Sequence, residues 1–301
     1  MPSHSALARL QQVIAVGLLA VALAWFAWRW PASPAWAVLG ALAIVFSYSF
    51  FLAAEFVLLK TVGARDPAPR PSWGDAVRAW WGETCTTPRV FFWRQPFRWR
   101  AEPDFLEETA RGKRGVVFIH GFVCNRGFWN PWMAQFRAAG IPFAAVNLEP
   151  VFGSIDAYRP IVDEAIERVR AATGLAPVLV CHSMGGLAAR AWLRGAGDAG
   201  RVHHVVTIGT PHHGTWLGHF SHTGNGRQMR LDGPWVEQLA QAGVAAPFTC
   251  WYSNCDNIVF PVSTATLPGA DNRLVPGIAH VQLGFRPEIV AATRELLAAP
   301  S

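Results

Sequence analysis

The stretch Pro177-Val178-Leu179-Val180-Cys181-His182-Ser183-Met184-Gly185-Gly186-Leu187-Ala188-Ala189-Arg190 decides the fold. Its first five residues form a short apolar run, the pattern of a strand buried on both faces. From Met184 onward the residues are good helix formers. Between the two halves stands a single serine. A strand that turns sharply into a helix holds such a serine in a strained backbone conformation and lifts its hydroxyl above the sheet edge. Small residues are then needed two positions to either side. Gly185 meets that need on one side. On the other, Cys181 stands where this nucleophile elbow usually has glycine, a modest departure in size.

Outward from this unit, the chain after residue 111 alternates short β-branched runs with helical stretches. Predicted strands are Gly115–Ile119, Phe143–Asn147, Pro177–Cys181, Val205–Ile208, Phe248–Tyr252 and Arg273–Val275. Predicted helices are Phe128–Ala139, Ala157–Ala172, Met184–Leu193, Pro234–Ala242 and Pro287–Ala298. That alternation implies an α/β domain, a mostly parallel sheet flanked by helices.

A serine hydroxyl is a weak nucleophile near neutral pH and needs a base that an acid orients. With the nucleophile on an elbow, the acid and then the histidine follow it in the chain. Asp256, just beyond the strand ending at Tyr252, and His280, after the short strand at 273–275, meet that order. Asp271 and Asp232 compete for the acid's place, whereas His203 and His204 precede a strand and read as structural. A tetrahedral intermediate also needs two N–H donors for its oxyanion. Met184, directly after the serine, offers one. The loop His120-Gly121-Phe122-Val123 offers the other through the backbone of Phe122, with Gly121 allowing close approach and His120 structural.

Together these residues resemble the lipase and esterase branch of the α/β-hydrolase superfamily. The H-G-F loop, the H-S-M-G-G elbow and Thr207-Ile208-Gly209-Thr210-Pro211-His212-His213-Gly214-Thr215 are similar to bacterial lipases, as is the stretch Trp251–Leu283. The resemblance covers residues 112–298. It implies a Ser183–His280–Asp256 triad, hydrolysis of carboxylic esters through an acyl-enzyme, and no cofactor. His212, His213, His219 and His222 invite a metal, but no matching carboxylate pair accompanies them and no metal is expected. Gly214–Pro234 reads as a short cap over the acyl pocket.

The first hundred residues lie outside the resemblance. Hydrophobic residues make up 51% of the 301-residue chain and charged ones 15%, which excludes a disordered protein. Leu10–Trp28 carries no charge, and Ala35–Leu59 carries only Glu55. A Pro-containing turn, Arg29–Pro34, separates the two runs. Both are apolar on all sides, so residues 1–60 read as a transmembrane helical hairpin, preferred over a cleaved signal peptide. Residues 61–110 read as a basic, aromatic juxtamembrane linker, and 111–301 as the catalytic domain. Of the net charge of +6, all falls in the first hundred residues, which argues against a nucleic-acid partner. Arg29 stands alone in the turn, while Lys60, Arg65, Arg70 and Arg78 follow the second run. This bias places both termini and the catalytic domain in the cytoplasm, on a bacterial inner membrane. Five cysteines without a C-x-x-C spacing read as free thiols.

The expected protein is thus a membrane-anchored serine esterase or lipase that meets its lipid or small-ester substrate at the bilayer through residues 10–59. An acyltransferase or thioesterase would use the same triad, and a catalytically idle scaffold would keep only the fold. Oligomeric state is not legible.

Overall fold

A computed structural model of the chain describes residues 5–196, 199–243 and 245–298. Helices α1 (Ala6–Arg29), α2 (Pro34–Val45), α3 (Ser47–Val62) and α4 (Trp73–Thr87) come first. A π-helical stretch, Pro88–Arg94, then runs into the single turn α5 (Gln95–Phe97). The α/β unit follows as β1 (Val116–Ile119), α6 (Asn130–Ala138), β2 (Phe143–Ala145), α7 (Arg159–Thr173), β3 (Val178–His182), α8 (Met184–Ala196) and β4 (His204–Ile208). It ends with α9 (Gly224–Gln228), α10 (Pro234–Gln241), β5 (Phe248–Tyr252), β6 (Asp271–Leu274), α11 (His280–Leu283) and α12 (Pro287–Ala298).

All strand pairs are parallel, in the order β2-β1-β3-β4-β5-β6. Alternation along the strands divides the core in two. Val117, Ile119, Leu179 and Cys181 face α7 and α8, where Val162, Ile166, Val169, Leu187 and Trp192 are buried. Val116, Phe118, Val178 and Val180 face α6 and α12, packing on Trp129, Trp132, Phe136 and Ile289. Helix α7 buries Val162, Ala165, Ile166, Val169 and Thr173, one stripe at helical spacing, and ends on Gly174 at φ +77°. The chain leaves β1 for β2 on one side and β3 for β4 on the other. Loops after β1 and β3 therefore diverge and open a crevice at the carboxyl ends of the strands.

Two predicted strands shift. β2 stops at Ala145, because the Asn147 side chain turns to accept the Arg126 N–H at 2.9 Å. β6 begins earlier, at Asp271, because it is an edge strand paired only with β5, and polar residues are tolerated there.

The second apolar run, read as one stretch, is two helices that break at Phe46 (ψ 12°). Polar contacts to α4 fix the new direction: Tyr48 Oη donates to the Thr84 carbonyl at 2.9 Å, and Trp80 Nε1 donates to the Ser49 carbonyl at 2.9 Å. Helices α1 and α2 pack against each other, with Trp25 Nε1 donating to the Trp36 carbonyl at 3.1 Å. Residues 73–97, for which the sequence offered no element, are helical. Ser72 and Asp75 form a capping box at the start of α4, and Ala76, Ala79 and Glu83 are buried on its inner face. Among the described residues, every exposed large apolar side chain except Phe152 and Phe220 lies at or before Phe97.

Candidate active site

Ser183 occupies the turn between β3 and α8 at φ +54°, a left-handed conformation that an L residue enters at a cost of about 1–2 kcal/mol. Three hydrogen bonds hold it there. Its N–H donates to the Ile208 carbonyl at 2.9 Å, and its carbonyl accepts from Gly186 N–H at 3.1 Å and Thr210 Oγ1 at 2.8 Å. The glycine two residues on is required by packing, since a Cβ at Gly185 would lie 2.4 Å from the Ile119 carbonyl oxygen. Cys181, on the other side, is accommodated because its side chain is buried in the α7–α8 half of the core.

His280 and Asp256 meet. His280 Nδ1 donates to Asp256 Oδ2 at 2.8 Å, and both side chains are buried. Asp256 is itself fixed, because its Oδ1 accepts the N–H groups of Ile258 (2.9 Å) and Val259 (2.8 Å). Burial disfavours the charged imidazole, yet Asp256 beside it, together with Glu83 and Glu55 farther out, outweighs that and holds His280 above the ordinary histidine value. Gly209, at φ +57° directly after β4, is the floor beneath the pair. A Cβ there would lie 3.0 Å from Asp256 Oδ2 and 3.1 Å from His280 Nδ1.

The link to Ser183 runs through its neighbour. His182 Nε2 donates to the His280 carbonyl at 3.1 Å, and the two rings lie 4.7 Å apart. Phe128 stacks on the other side of His182 at 4.4 Å, and burial keeps the His182 ring neutral.

The loop after β1 faces the elbow closely. A Cβ at Gly121 would lie 2.7 Å from Ser183 Cβ and 3.3 Å from its Oγ. Phe122 follows, its ring against Phe152 at 6.0 Å, and Val123 sits at φ +52°. Met184 opens α8, where the N–H groups of the first turn have no acceptor within the helix. His120 bridges this loop to the one after β2: Nδ1 donates to the Gly121 carbonyl at 2.9 Å, and Nε2 accepts from Leu148 N–H at 2.9 Å. Burial drives its pKa to about 4, so the ring stays neutral.

The competing residues lie elsewhere. Asp271 pairs with Arg273 on the edge strand at 2.6 Å, Asp232 occupies a left-handed turn before α10, and His204 bonds Thr249 at 2.9 Å. His212 is buried against Thr207 and Cys250. The Gly214–Pro234 segment is pinned at both sides. Trp216 N–H donates to Phe260, Asn225 Nδ2 to the Val151 carbonyl, and Trp216 stacks on Phe260. All five cysteines are free.

Sequence reasoning missed several residues that hold these loops. Glu83 accepts the N–H groups of Val281 (2.8 Å) and Gln282 (3.0 Å). Asn257 Oδ1 accepts His280 N–H at 3.2 Å, and Asn257 Nδ2 donates to Glu55 Oε2 at 2.6 Å. Gln11 of α1 donates to the Val123 carbonyl at 3.3 Å. Glu55 carried a signal, as the only charge in a long apolar run. Glu83 and Gln11 carried none, because their partners lie more than 100 residues away.

The sequence profile of the Alpha/beta hydrolase family matches residues 116–294. Among solved structures, the lipase BlEst2 of Bacillus licheniformis in mature form aligns with a TM-score of 0.56 at 17% identity, over 62% of this chain and 93% of that one. Aspergillus fumigatus lipase B aligns at 0.56 and 19% identity, over 66% of this chain and 56% of that one. Phospholipase PlaB from Legionella pneumophila aligns at 0.51 and 13% identity, over 62% and 59%. The chain thus spans little more than half the length of the last two, and at these identities the likeness is one of fold. No curated protein matches. The matched span runs from β1 into α12 and takes in the whole six-stranded sheet, the elbow and the loops around it: the chain belongs to the alpha/beta hydrolase family.

Proposed function

We propose that the protein is a membrane-anchored serine hydrolase that cleaves carboxylic esters, with Ser183 as nucleophile, His280 as general base and acid, and Asp256 as its orienting carboxylate. The observation that carries this reading is the buried His280–Asp256 bond beside Gly209, together with a serine held at positive φ on the β3–α8 turn. With Nδ1–H committed to Asp256, the neutral ring keeps Nε2 free to take the serine proton as Oγ attacks the ester carbonyl. Asp256 then stabilises the imidazolium that forms. The N–H groups of Phe122 and Met184 receive the oxyanion, where a fixed donor in a site shielded from water contributes about 3 kcal/mol. Collapse expels the alcohol with the proton from His280, and water releases the acid by the same steps in reverse.

Lipid acyl esters are the substrate class we favour. Helix α1 is long and apolar enough to cross a membrane, and α2 packs back against it. The stretch Ser47–Arg65 also has the length and apolar character to cross, but Tyr48, Ser49 and Glu55 tie it to α4 and to Asn257. At 1.5 Å per residue, the 24 residues of α1 reach about 36 Å, against about 30 Å for a bilayer core. Leu7 and Ala8 at the start of α1, and Phe56 and Leu59 near the end of α3, are buried, while the residues between are largely exposed and apolar. Trp28, Trp30 and Trp36 cluster at the turn, as interfacial aromatics do. A hairpin anchored this way keeps the catalytic domain on the side of both termini, and the Lys and Arg bias makes that side the cytoplasm. Two solved structures named as lipases and one named as a phospholipase share the fold.

The test is turnover of p-nitrophenyl esters of increasing chain length by the detergent-solubilised full chain, with glycerol added as a competing acceptor. Free acid released preferentially from long-chain esters supports a lipase. Acyl glycerol as the main product would make it a transferase, and no turnover of any ester would overturn the reading.

A further inference from the structure

Helix α11 is four residues long and starts at His280. A helix so short has no stability of its own, and its first N–H groups have no partner within it. The residue that would normally cap it, Ala279, has no side-chain acceptor. All three leading N–H groups are nevertheless bound by side chains from outside. His280 N–H goes to Asn257 Oδ1, and Val281 and Gln282 N–H go to the two oxygens of Glu83. Asn257 is in turn held by Glu55 on α3. Glu83 lies on α4, which at Gly82 runs close against the Gln282 side chain.

We propose that Glu83 is a positioning residue for His280, seconded by Glu55 through Asn257, so that the N-terminal segment completes the active site of the α/β unit. The proposal rests on the reading of His280 as the general base. Glu83 is 1% exposed, and the hydrogen bonds its side chain makes among the described residues are the two from α11. A carboxylate near a residue that must carry a transient positive charge favours that charge. The ionisable groups facing His280 are Asp256 from the loop after β5, Glu83 from α4, Glu55 from α3 and His182 from β3. Three of these four are carboxyl groups. Burial pushes the Glu83 carboxyl up to about 7, which the two N–H donors and His280 counteract only in part.

The test uses the full chain and Glu83→Gln, which keeps the volume and removes the charge. It also leaves one of the two N–H donors facing an NH2 group, so some loss of stability accompanies it and the pH limb is the deciding readout. The expected result is a fall in kcat of about tenfold to a hundredfold with little change in KM. The acidic limb of the kcat/KM profile is expected to move to lower pH, because one negative neighbour of the imidazolium is gone. Glu83→Asp, with the charge restored on a shorter arm, should recover the position of the limb. A merely structural role would lower yield and thermal midpoint and leave the limb where it was, and that result overturns the proposal. If Glu83→Gln does not fold, Glu55→Gln decides: its limb also moves to lower pH if the proposal holds, and an unmoved limb refutes it. Fluorophosphonate labelling separates the two levels. Wild type that labels, with His280→Ala that does not, leaves the base assignment standing whatever the Glu83 variants do. Wild type that never labels removes both.

Discussion

Replacing Asp256 with Asn conserves its volume and reverses the hydrogen-bonding sense of half the side chain. Asp256 Oδ1 accepts two backbone N–H groups, from Ile258 and Val259, while Oδ2 accepts His280 Nδ1–H. An Asn has one oxygen, and the two N–H donors claim it. Its NH2 then faces His280 Nδ1 and makes that nitrogen the acceptor, so the ring's proton moves to Nε2. In that tautomer His280 cannot take a proton from Ser183. The alternative flip, oxygen toward His280, leaves two backbone donors facing an NH2 group, at about 1–3 kcal/mol each. At the lower bound of about 2 kcal/mol, only about 3% of molecules hold the productive flip. The expected loss in kcat therefore runs from about 30-fold to about 10⁴-fold, the larger value being that of a fully mis-set tautomer. Steady-state hydrolysis of a p-nitrophenyl ester measures it, with far-UV circular dichroism to verify the fold. An Asp256→Asn enzyme within about threefold of wild type would refute this reasoning, since it would mean that Asp256 does not set the tautomer of the working histidine.

The acidic limb of wild-type kcat/KM should lie above 6.5, because His280 must be neutral to act and its carboxylate neighbours hold its pKa above that value; activity rises as pH increases through the limb. Ser183→Gly should be more stable than Ser183→Ala by about 1 kcal/mol, a few degrees in Tm, because glycine relieves the φ of +54° and alanine does not. Both variants should be inactive. Gly185→Ala should destabilise by about 1–3 kcal/mol, since its methyl would meet the carbonyl oxygens of Ile119 at 2.4 Å and His120 at 2.8 Å; chemical denaturation reads the change.

The α/β unit was largely legible in the sequence for a physical reason. Its central strands are buried on both faces, and Val178–His182 and Val205–Ile208 therefore stand out as apolar runs between turn residues. The edge strand Asp271–Leu274 opens with three exposed polar residues, so its start carries no apolar signature in the sequence. The elbow was readable because it is local: strand, turn and helix are contiguous. That Asp256 and His280 would meet was an expectation drawn from chain order, and the structure brings them to 2.8 Å.

The first hundred residues were less legible. Apolar character alone does not mark where a helix bends, and the break at Phe46 is set by Thr84 and Trp80, residues more than 30 positions away. The Pro- and Trp-rich stretch before β1 offered no clear periodicity, yet it supplies α4 and Glu83. Hydrogen bonds spanning nearly 200 residues, such as Glu83 to Val281, leave no trace in local pattern.

The central claim, that Ser183 is a nucleophile activated by its surroundings, is tested most directly by reacting the folded full-length protein with a fluorophosphonate. Intact mass and peptide mapping then locate the adduct. One adduct is expected, on the peptide containing Ser183, and none on Ser183→Ala. A well-folded wild type that takes up no probe, or takes it up on another residue, would contradict the claim.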